Sequence, residues 1–177
     1  MLFVTSNRHK FEEAKKIIPE LEMRELDIPE PRGGLKEIAM GKALYAFNII
    51  KKPLVVEDTG IFIDCLNGFP GEMAKWSLQK LGLKGILKLM EGCEKRTGRV
   101  LSVVAYIDSE GIRLFEGALE VEIAKEPRGT SGFGYDPILI PKGKGFTLAE
   151  NTQYKHQHSH RVEAFKKLQA YLKKNRG

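Results

Sequence analysis

The chain has 177 residues, of which 29 are lysine or arginine and 23 are aspartate or glutamate, so its formal net charge is +6. Hydrophobic residues at 42% and charged residues at 29% exclude a wholly disordered chain. No apolar run approaches the roughly 20 residues that span a bilayer, which argues against a membrane anchor. Because the N-terminus also lacks a signal-peptide pattern, we expect a cytoplasmic protein with a single domain over residues 1–177.

Hydrophobic periodicity predicts alternating strands and helices in the first half of the chain. Strands are expected over residues 1–5, 21–26, 54–56 and 61–66. Ser6 or Asn7 can cap a first helix. Further helices are expected over residues 35–50 and, as two short pieces broken near Gly82, over 76–90.

The second half is richer in strands. Pieces are expected over 100–107, 112–116, 119–124 and 138–140, with a glycine-rich loop over 129–135 and a last helix over 159–174. Helices at both ends and in the middle predict an α/β or α+β fold with a mixed, rather than strictly parallel, sheet.

The basic excess lies at the C-terminal end. Residues 161–177 contain six lysines or arginines against Glu163 alone, a net charge of +5, which leaves +1 for the other 160 residues. Apolar residues at helical spacing in the same segment favour the solvated face of an amphipathic helix over a nucleic-acid surface. Cys65 and Cys93 have no paired spacing, so we expect two free thiols.

Charged residues occupy two positions where charge is unfavourable. Lys42 falls on the apolar stripe of its own helix, so it either extends to solvent or delivers a cation into a cleft. Glu57 and Asp58 directly follow an apolar strand, where they form either a surface turn or a pair of hard oxygen ligands suited to Mg²⁺.

Two loops add binding potential. The segment 5–10 enters a helix N-terminus, which is either a plain cap or a phosphate site. The segment 132–137 carries two aromatic rings and a carboxylate, and it is either a turn with core aromatics or a platform on which a planar base stacks. Together these features resemble the components of a nucleotide-phosphate hydrolase.

Five motifs occur in one order along nearly the whole chain: Thr5-Ser6-Asn7-x-x-Lys10, Glu57-Asp58-Thr59-Gly60, Phe69-Pro70-Gly71, Gly132-Phe133-Gly134-Tyr135-Asp136-Pro137 and Ser159-His160-Arg161. With these motifs the sequence resembles the inosine triphosphate pyrophosphatase family. The resemblance implies an elongated mixed sheet flanked by helices, in two lobes with a central cleft. Where the family has a tyrosine after Pro-Gly, this chain has Met73, and Trp76 is the candidate replacement.

The resemblance also implies a role for each matching residue. Asp58 is implied as catalytic base and metal ligand, with Glu30 and Glu57 as further metal ligands. The implied substrate-binding residues are Thr5, Ser6, Asn7, Arg8, His9, Lys10, Lys42, Thr59, Phe133, Gly134, Tyr135, Asp136, Lys155, His160 and Arg161.

The implied activity is Mg²⁺-dependent hydrolysis of ITP, dITP and XTP to the nucleoside monophosphate and pyrophosphate. Family members are homodimers, and neither a membrane nor a stable nucleic-acid partner is expected. Two alternatives stay open: a nucleotide- or RNA-binding module without chemistry, and a pyrophosphatase acting on dUTP or modified pyrimidines. Carboxylates at a polyanion site argue against the first of these.

Overall fold

The computed structural model describes residues 1–175, and Arg176 and Gly177 of the basic C-terminal segment lie outside the described residues. The strands are β1 (Leu2–Val4), β2 (Glu22–Arg24), β3 (Leu54–Ile63), β4 (Pro70–Gly71), β5 (Thr97–Asp108), β6 (Gly111–Ile123) and β7 (Leu139–Pro141). The helices are α1 (Arg8–Lys15), α2 (Leu35–Ile50), α3 (Ala74–Leu89), α4 (Thr152–His158) and α5 (His160–Asn175). Across residues 1–175, no helix combines the length and apolar character needed to cross a bilayer.

The strands form one mixed sheet in the order β2-β1-β3-β5-β6-β7, with β4 paired to β3 outside this path. Strand β1 runs parallel to both β2 and β3, and Leu2 lies opposite Glu22 on one side and Leu54 on the other. Strands β6 and β7 pair antiparallel, as do β3 and β4. This architecture confirms the α/β class and the mixed sheet expected from the sequence.

The chain divides into two compact units. Unit 1 contains Met1–Asp58, Ser102–Gly117 and the segment from His160 onward. Unit 2 contains Thr59–Leu101 and Ala118–Ser159. Strands β3, β5 and β6 contribute residues to both units, because the division falls within each of these strands.

The core of unit 1 joins α1 and α5 to the strands. Phe3 and Phe165 are fully buried, with ring centroids 5.4 Å apart, and Ala14 and Leu168 pack in the same cluster. A side chain at Gly117 would collide with the backbone where α5 begins, so only glycine permits this close approach.

The core of unit 2 is a separate cluster. Ile63, Ile86 and Leu148 are fully buried in it. The Tyr135 ring packs against the same cluster, and its hydroxyl donates a 2.8 Å hydrogen bond to the Ala74 carbonyl oxygen. A buried tyrosine satisfies its hydroxyl in this way while its ring fills the core.

Several element boundaries differ from the expectations. Helix α2 matches its predicted range, and the break expected in α3 is confirmed at Gly82, whose φ of 65° lies outside the helical region. The predicted strands at 54–56 and 61–66 belong to one continuous strand, β3, which ends at Ile63 before a 3₁₀ turn. The pieces at 112–116 and 119–124 are likewise joined in one strand, β6. Helix α4 was not expected, because its short polar sequence carries no apolar stripe.

The prediction of two free thiols is wrong. Cys65 and Cys93 form a disulfide in unit 2, with their Cα atoms 6.1 Å apart. Cys65 lies in a short 3₁₀ turn after β3, and Cys93 lies between α3 and β5. Folding brings together residues 28 apart in sequence, a separation that matches no local cysteine motif.

Candidate active site

Glu57 is the centre of a buried charge network in unit 1. Its side chain, on β3, is fully buried. The Lys10 ammonium lies 2.7 Å from Oε2, and the Ser102 hydroxyl donates a 2.6 Å hydrogen bond to Oε1. The Arg161 guanidinium lies 3.3 Å from the same Oε1. Three groups from three different elements therefore hold this carboxylate.

Arg161 connects Glu57 to a second buried carboxylate. Its Nη1 donates to Glu13 Oε2 at 2.5 Å, and its side chain is only 2% exposed. Two carboxylates thus face two cations, Arg161 and Lys10, so the network is balanced in charge. Removing one partner of such a buried group leaves an uncompensated charge.

The electrostatics of Glu57 follow from these contacts. Burial acts to raise the pKa of its carboxyl, but the charges of Arg161 and Lys10, with hydrogen bonds from Lys10 and Ser102, hold the pKa well below its usual range. Glu57 is therefore ionised throughout the physiological range. The pKa of Arg161 is raised, because Glu57 and Glu13 outweigh the opposing effect of burial.

Asp58 belongs to a different set of contacts. The Lys42 ammonium lies 3.4 Å from Asp58 Oδ2 and 2.8 Å from Glu30 Oε1. The side chains of Asp58 and Lys42 are 14% and 17% exposed, whereas that of Glu30 is 68% exposed. Two carboxylates share one ammonium, which leaves one negative charge in excess.

The pKa of Asp58 shifts in the opposite direction from that of Glu57. Burial raises the pKa of the Asp58 carboxyl, and the negative charges of Glu57 and Glu30 raise it further, which outweighs the opposing effect of Lys10 and Lys42. The pKa of Lys42 is raised because Asp58 and Glu30 outweigh its burial. Asp58 is consequently a stronger base than an ordinary aspartate.

The backbone explains why these neighbouring carboxylates have different partners. The sequence placed Glu57 and Asp58 after the end of a strand, but both lie within the continuous strand β3. Successive side chains of a strand point to opposite faces. Glu57 therefore meets Arg161 and Ser102, while Asp58 meets Lys42, and repulsion between the carboxylates is reduced.

The N-terminal segment is organised as a helix cap. Asn7 is the N-cap of α1, and its side chain accepts a 3.2 Å hydrogen bond from the Lys10 backbone N–H. The Thr5 hydroxyl accepts from the Asn7 N–H. This geometry aims the Lys10 side chain at Glu57, whereas the other three predicted contacts in this segment, Ser6, Arg8 and His9, are exposed.

The residues around Asp58 suit a hard divalent cation. No group of three or more His, Cys, Asp or Glu side chains within residues 1–175 is arranged as a preformed metal centre. Glu30 and Asp58 nevertheless supply carboxylate oxygens, the ligand type that Mg²⁺ prefers, and they already hold a cationic ammonium between them. The donor chemistry and the excess negative charge therefore fit such an ion.

A second group of predicted site residues lies in unit 2. The Lys155 ammonium, at the buried end of a 2% exposed side chain, lies 2.6 Å from Asp136 Oδ2 and 4.1 Å from the centre of the Phe133 ring. The same Oδ2 accepts a hydrogen bond from the Phe133 N–H. Gly132 has a φ of 76°, and a Cβ there would collide with the Asp136 carboxylate, so glycine is required.

The remaining predicted site residues differ from one another in how far they are exposed to solvent. Tyr135 is 6% exposed and belongs to the core of unit 2, so of the two loop aromatics Phe133 is the more accessible. Gly134 is exposed, and Thr59 follows Asp58 on β3 with intermediate exposure. His160 is buried at the start of α5 in unit 1.

Sequence reasoning missed two members of the Glu57 network. Glu13 lies three residues after Lys10 and one before Ala14 on α1, so its helical position indicated the buried face. Ser102 is a lone hydroxyl in an apolar run on β5, a pattern typical of a buried polar group with a defined partner. The sequence positions of Glu13 and Ser102 indicate burial, but they do not identify a partner until the fold places both residues in the network of Glu57.

Comparison with known proteins identifies the family. The sequence model of the Ham1 family matches residues 1–171. A dITP/XTP pyrophosphatase of Korarchaeum cryptofilum is 41% identical over 176 residues, which cover 97% of this chain and 95% of that protein. A dITP/XTP pyrophosphatase of Methanopyrus kandleri is 42% identical, with 99% of this chain and 97% of that protein covered.

The fold comparison agrees with the sequence comparison. The structure of the Staphylococcus aureus Ham1 protein superposes with a TM-score of 0.85 and 25% sequence identity, covering 98% of this chain and 99% of that one. The match therefore extends over the strands and helices of both units as well as the motifs. On these grounds the chain belongs to the Ham1 family.

Proposed function

We propose that this protein is a nucleoside-triphosphate pyrophosphatase that hydrolyses the non-standard purine nucleotides ITP, dITP and XTP to the monophosphate and pyrophosphate. The observation that carries the proposal is the pairing of Asp58 with Lys42 and Glu30 next to the fully buried Glu57. The names of its Ham1 relatives support the reaction class and the purine bases.

Asp58 is the proposed base. Its partly buried carboxylate, which contacts the Lys42 ammonium, is proposed to take a proton from the water molecule that attacks the α-phosphorus. The new bond joins the water oxygen to the α-phosphorus, and the bond from that phosphorus to the bridging oxygen breaks. The electron pair of the broken bond leaves with pyrophosphate, and the nucleoside monophosphate keeps the water oxygen.

Lys10 and Lys42 are the proposed phosphate contacts. Both ammonium groups are partly buried and lie beside the carboxylates named above. Fixed positive charge stabilises the negative charge that develops on leaving pyrophosphate, and it is more effective where water is excluded. Thr5 and Asn7 keep the α1 N-terminus in the geometry that directs Lys10.

Glu30 and Asp58 would hold a divalent cation, with Glu57 nearby. When bound, Mg²⁺ supplies Lewis-acid polarisation of the phosphate oxygens. The role proposed for Glu57 is electrostatic, because Ser102 and Arg161 keep its carboxylate ionised and fixed.

Phe133 and Lys155 are proposed to recognise the base. The Phe133 ring offers a stacking surface, and Asp136 fixes both its backbone and the Lys155 ammonium. A donor such as Lys155 or His160 can hydrogen-bond to the 6-oxygen of hypoxanthine or xanthine. It cannot do so to the 6-amino group of adenine, which is itself a donor. Leaving a buried donor unpaired reaches roughly 10⁴-fold discrimination in favourable sites. The role of Arg161 in base recognition stays a prediction. Its guanidinium contacts the carboxylates of Glu13 and Glu57.

The test is pyrophosphate release from ITP, dITP, XTP, dUTP, GTP and ATP with Mg²⁺, with EDTA as the control and the nucleotide product identified. We expect fast, EDTA-sensitive conversion of ITP, dITP and XTP to monophosphates, and slow conversion of ATP. We also expect slow conversion of GTP, which requires a contact at position 2 of the base because guanine keeps the 6-oxygen. Preference for dUTP would retain the reaction and reject the base assignment. No cleavage of any nucleotide would reject the enzyme proposal in favour of a binding module.

The proposal includes a cytoplasmic homodimer, as expected from the resemblance. Light scattering after size exclusion tests the dimer, and a monomer at enzyme-assay concentrations would contradict it.

A further inference from the structure

Lys42 lies where a cation would be bound by Glu30 and Asp58. Its ammonium is 2.8 Å from one carboxylate and 3.4 Å from the other, and its side chain is 17% exposed. An ammonium this close to two carboxylates satisfies part of the negative charge that would attract a metal ion. Lys42 and a divalent cation therefore compete for the same oxygens.

The charges favour an exchange. The two carboxylates of Glu30 and Asp58 and the ammonium of Lys42 together carry a net charge of −1. If the ammonium moved to a phosphate, the same carboxylates would carry −2, which matches a divalent cation. The lysine proposed to bind phosphate is thus the group whose departure completes the metal ligands.

Glu57 is held differently, so the exchange centres on Lys42. The Glu57 carboxylate has the Ser102 hydrogen bond and the Arg161 contact in addition to Lys10. Asp58 and Glu30, by contrast, have Lys42 as their shared cation.

We propose that Lys42 holds the carboxylates of Glu30 and Asp58 in the absence of nucleotide and releases them when it binds the polyphosphate, so that nucleotide and divalent cation bind with positive coupling. The inference rests on the proposed function, because it takes the metal ligands and the phosphate role of Lys42 from there. It adds that Lys42 weakens metal binding until nucleotide arrives.

The experiment measures binding of Mn²⁺ alone to the nucleotide-free protein by calorimetry and by the loss of the free Mn²⁺ electron paramagnetic resonance signal. Lys42→Met should bind Mn²⁺ about tenfold or more tightly than wild type, the size of a typical coupling between sites. Lys42→Arg, which keeps the charge, should bind as weakly as wild type. Lys36→Met is the matched control on the same helix, since Lys36 pairs with the exposed Glu116.

Equal Mn²⁺ affinity in wild type and Lys42→Met would overturn the inference, as would equal tightening in the Lys36→Met control. Thermal unfolding checks that each variant is folded, and Lys42→Gln replaces an unfolded Lys42→Met with the same expected sign. Nucleotide hydrolysis by the wild type is scored separately. If the wild type hydrolyses the nucleotides but Lys42→Met binds Mn²⁺ no more tightly than the wild type, only this inference is rejected. If the wild type hydrolyses no nucleotide, the proposed function is rejected.

Discussion

The two units stabilise their buried polar groups by different means. In unit 1, Glu57 has contacts to Lys10, Ser102 and Arg161, and Arg161 extends the network to Glu13. In unit 2, one buried ion pair, Lys155 with Asp136, accompanies a disulfide. In the network of unit 1, each buried charge depends on the presence of its partners. The disulfide of unit 2 stabilises that unit without ionised groups. Unit 1 therefore connects more buried charges in one network than the Lys155–Asp136 pair of unit 2 does.

The largest effect should come from the charged strand of unit 1. Asp58→Asn removes the proposed base and should lower the turnover of ITP by about 1,000-fold, within the range typical of general base catalysis. The fold should remain, because an amide fits the same space. Steady-state kinetics and circular dichroism test this, with Asp64→Asn as the control because Asp64 pairs with Thr97 and Lys95 near the surface of unit 2. Near-wild-type turnover would remove Asp58 from the mechanism.

Removing the shared cation of the network should be the most destabilising change. Arg161→Ala removes the buried cation that Glu13 and Glu57 share, and it should lower the free energy of unfolding by about 3–5 kcal/mol. Denaturant titration measures the loss, with the exposed Arg8→Ala as control. A loss below that of the control would mean that the network contributes nothing.

The same variant distinguishes two roles of Arg161 if enough folded enzyme remains. A contact with the base predicts a greater fall in kcat/KM for ITP than for ATP. A role through Glu57 predicts equal falls, because Glu57 acts on the phosphates of either nucleotide.

The cross-link of unit 2 should have an intermediate effect on stability. Closing a loop between residues 28 apart restricts the unfolded chain, so Cys65→Ser with Cys93→Ser should cost about 2–4 kcal/mol. Wild type treated with a dithiol reductant should unfold at the same denaturant concentration as the double variant. Titration of two free thiols in the untreated protein would show that the cysteines are not paired.

The smallest effect should come from the Tyr135 hydroxyl. Tyr135→Phe removes one buried hydrogen bond, a loss of about 1 kcal/mol near neutral pH. Burial raises the pKa of Tyr135 to about 12 from an ordinary value of 10.0, so the folded state favours the protonated phenol. The stabilisation is complete below pH 10 and is lost as pH rises towards 12. Phenylalanine does not titrate, so the stability advantage of the wild type over Tyr135→Phe should shrink across this window, and a constant difference would contradict the assignment.

Local patterns predicted much of the fold. Helix α2 was predicted over its whole length because sixteen residues repeat apolar side chains at helical spacing. The interruption of β3 at Glu57 and Asp58 was predicted wrongly, since two carboxylates within a strand contradict its apolar pattern. The nearby cations, Lys10 and Arg161 at Glu57 and Lys42 at Asp58, offset the charge of these two carboxylates within the strand.

The sequence singles out several residues of the buried charge clusters, but it does not predict which of them contact each other. Lys42 was singled out as a charge on an apolar stripe, and it is partly buried against carboxylates. Glu13 and Ser102 were missed, because one buried polar residue in an apolar pattern does not name its partner.

The amino-acid sequence by itself determined most of the element types, the mixed α/β class and the family, since these depend on periodicity and on short motifs in a fixed order. The tertiary structure decided which charges pair and that the cysteines join. Arg161 and Glu13 are 148 residues apart, and nothing local in either segment requires their contact. Such pairings follow from strand order and helix packing, which bring distant segments within the few ångströms over which ion pairs and disulfides form.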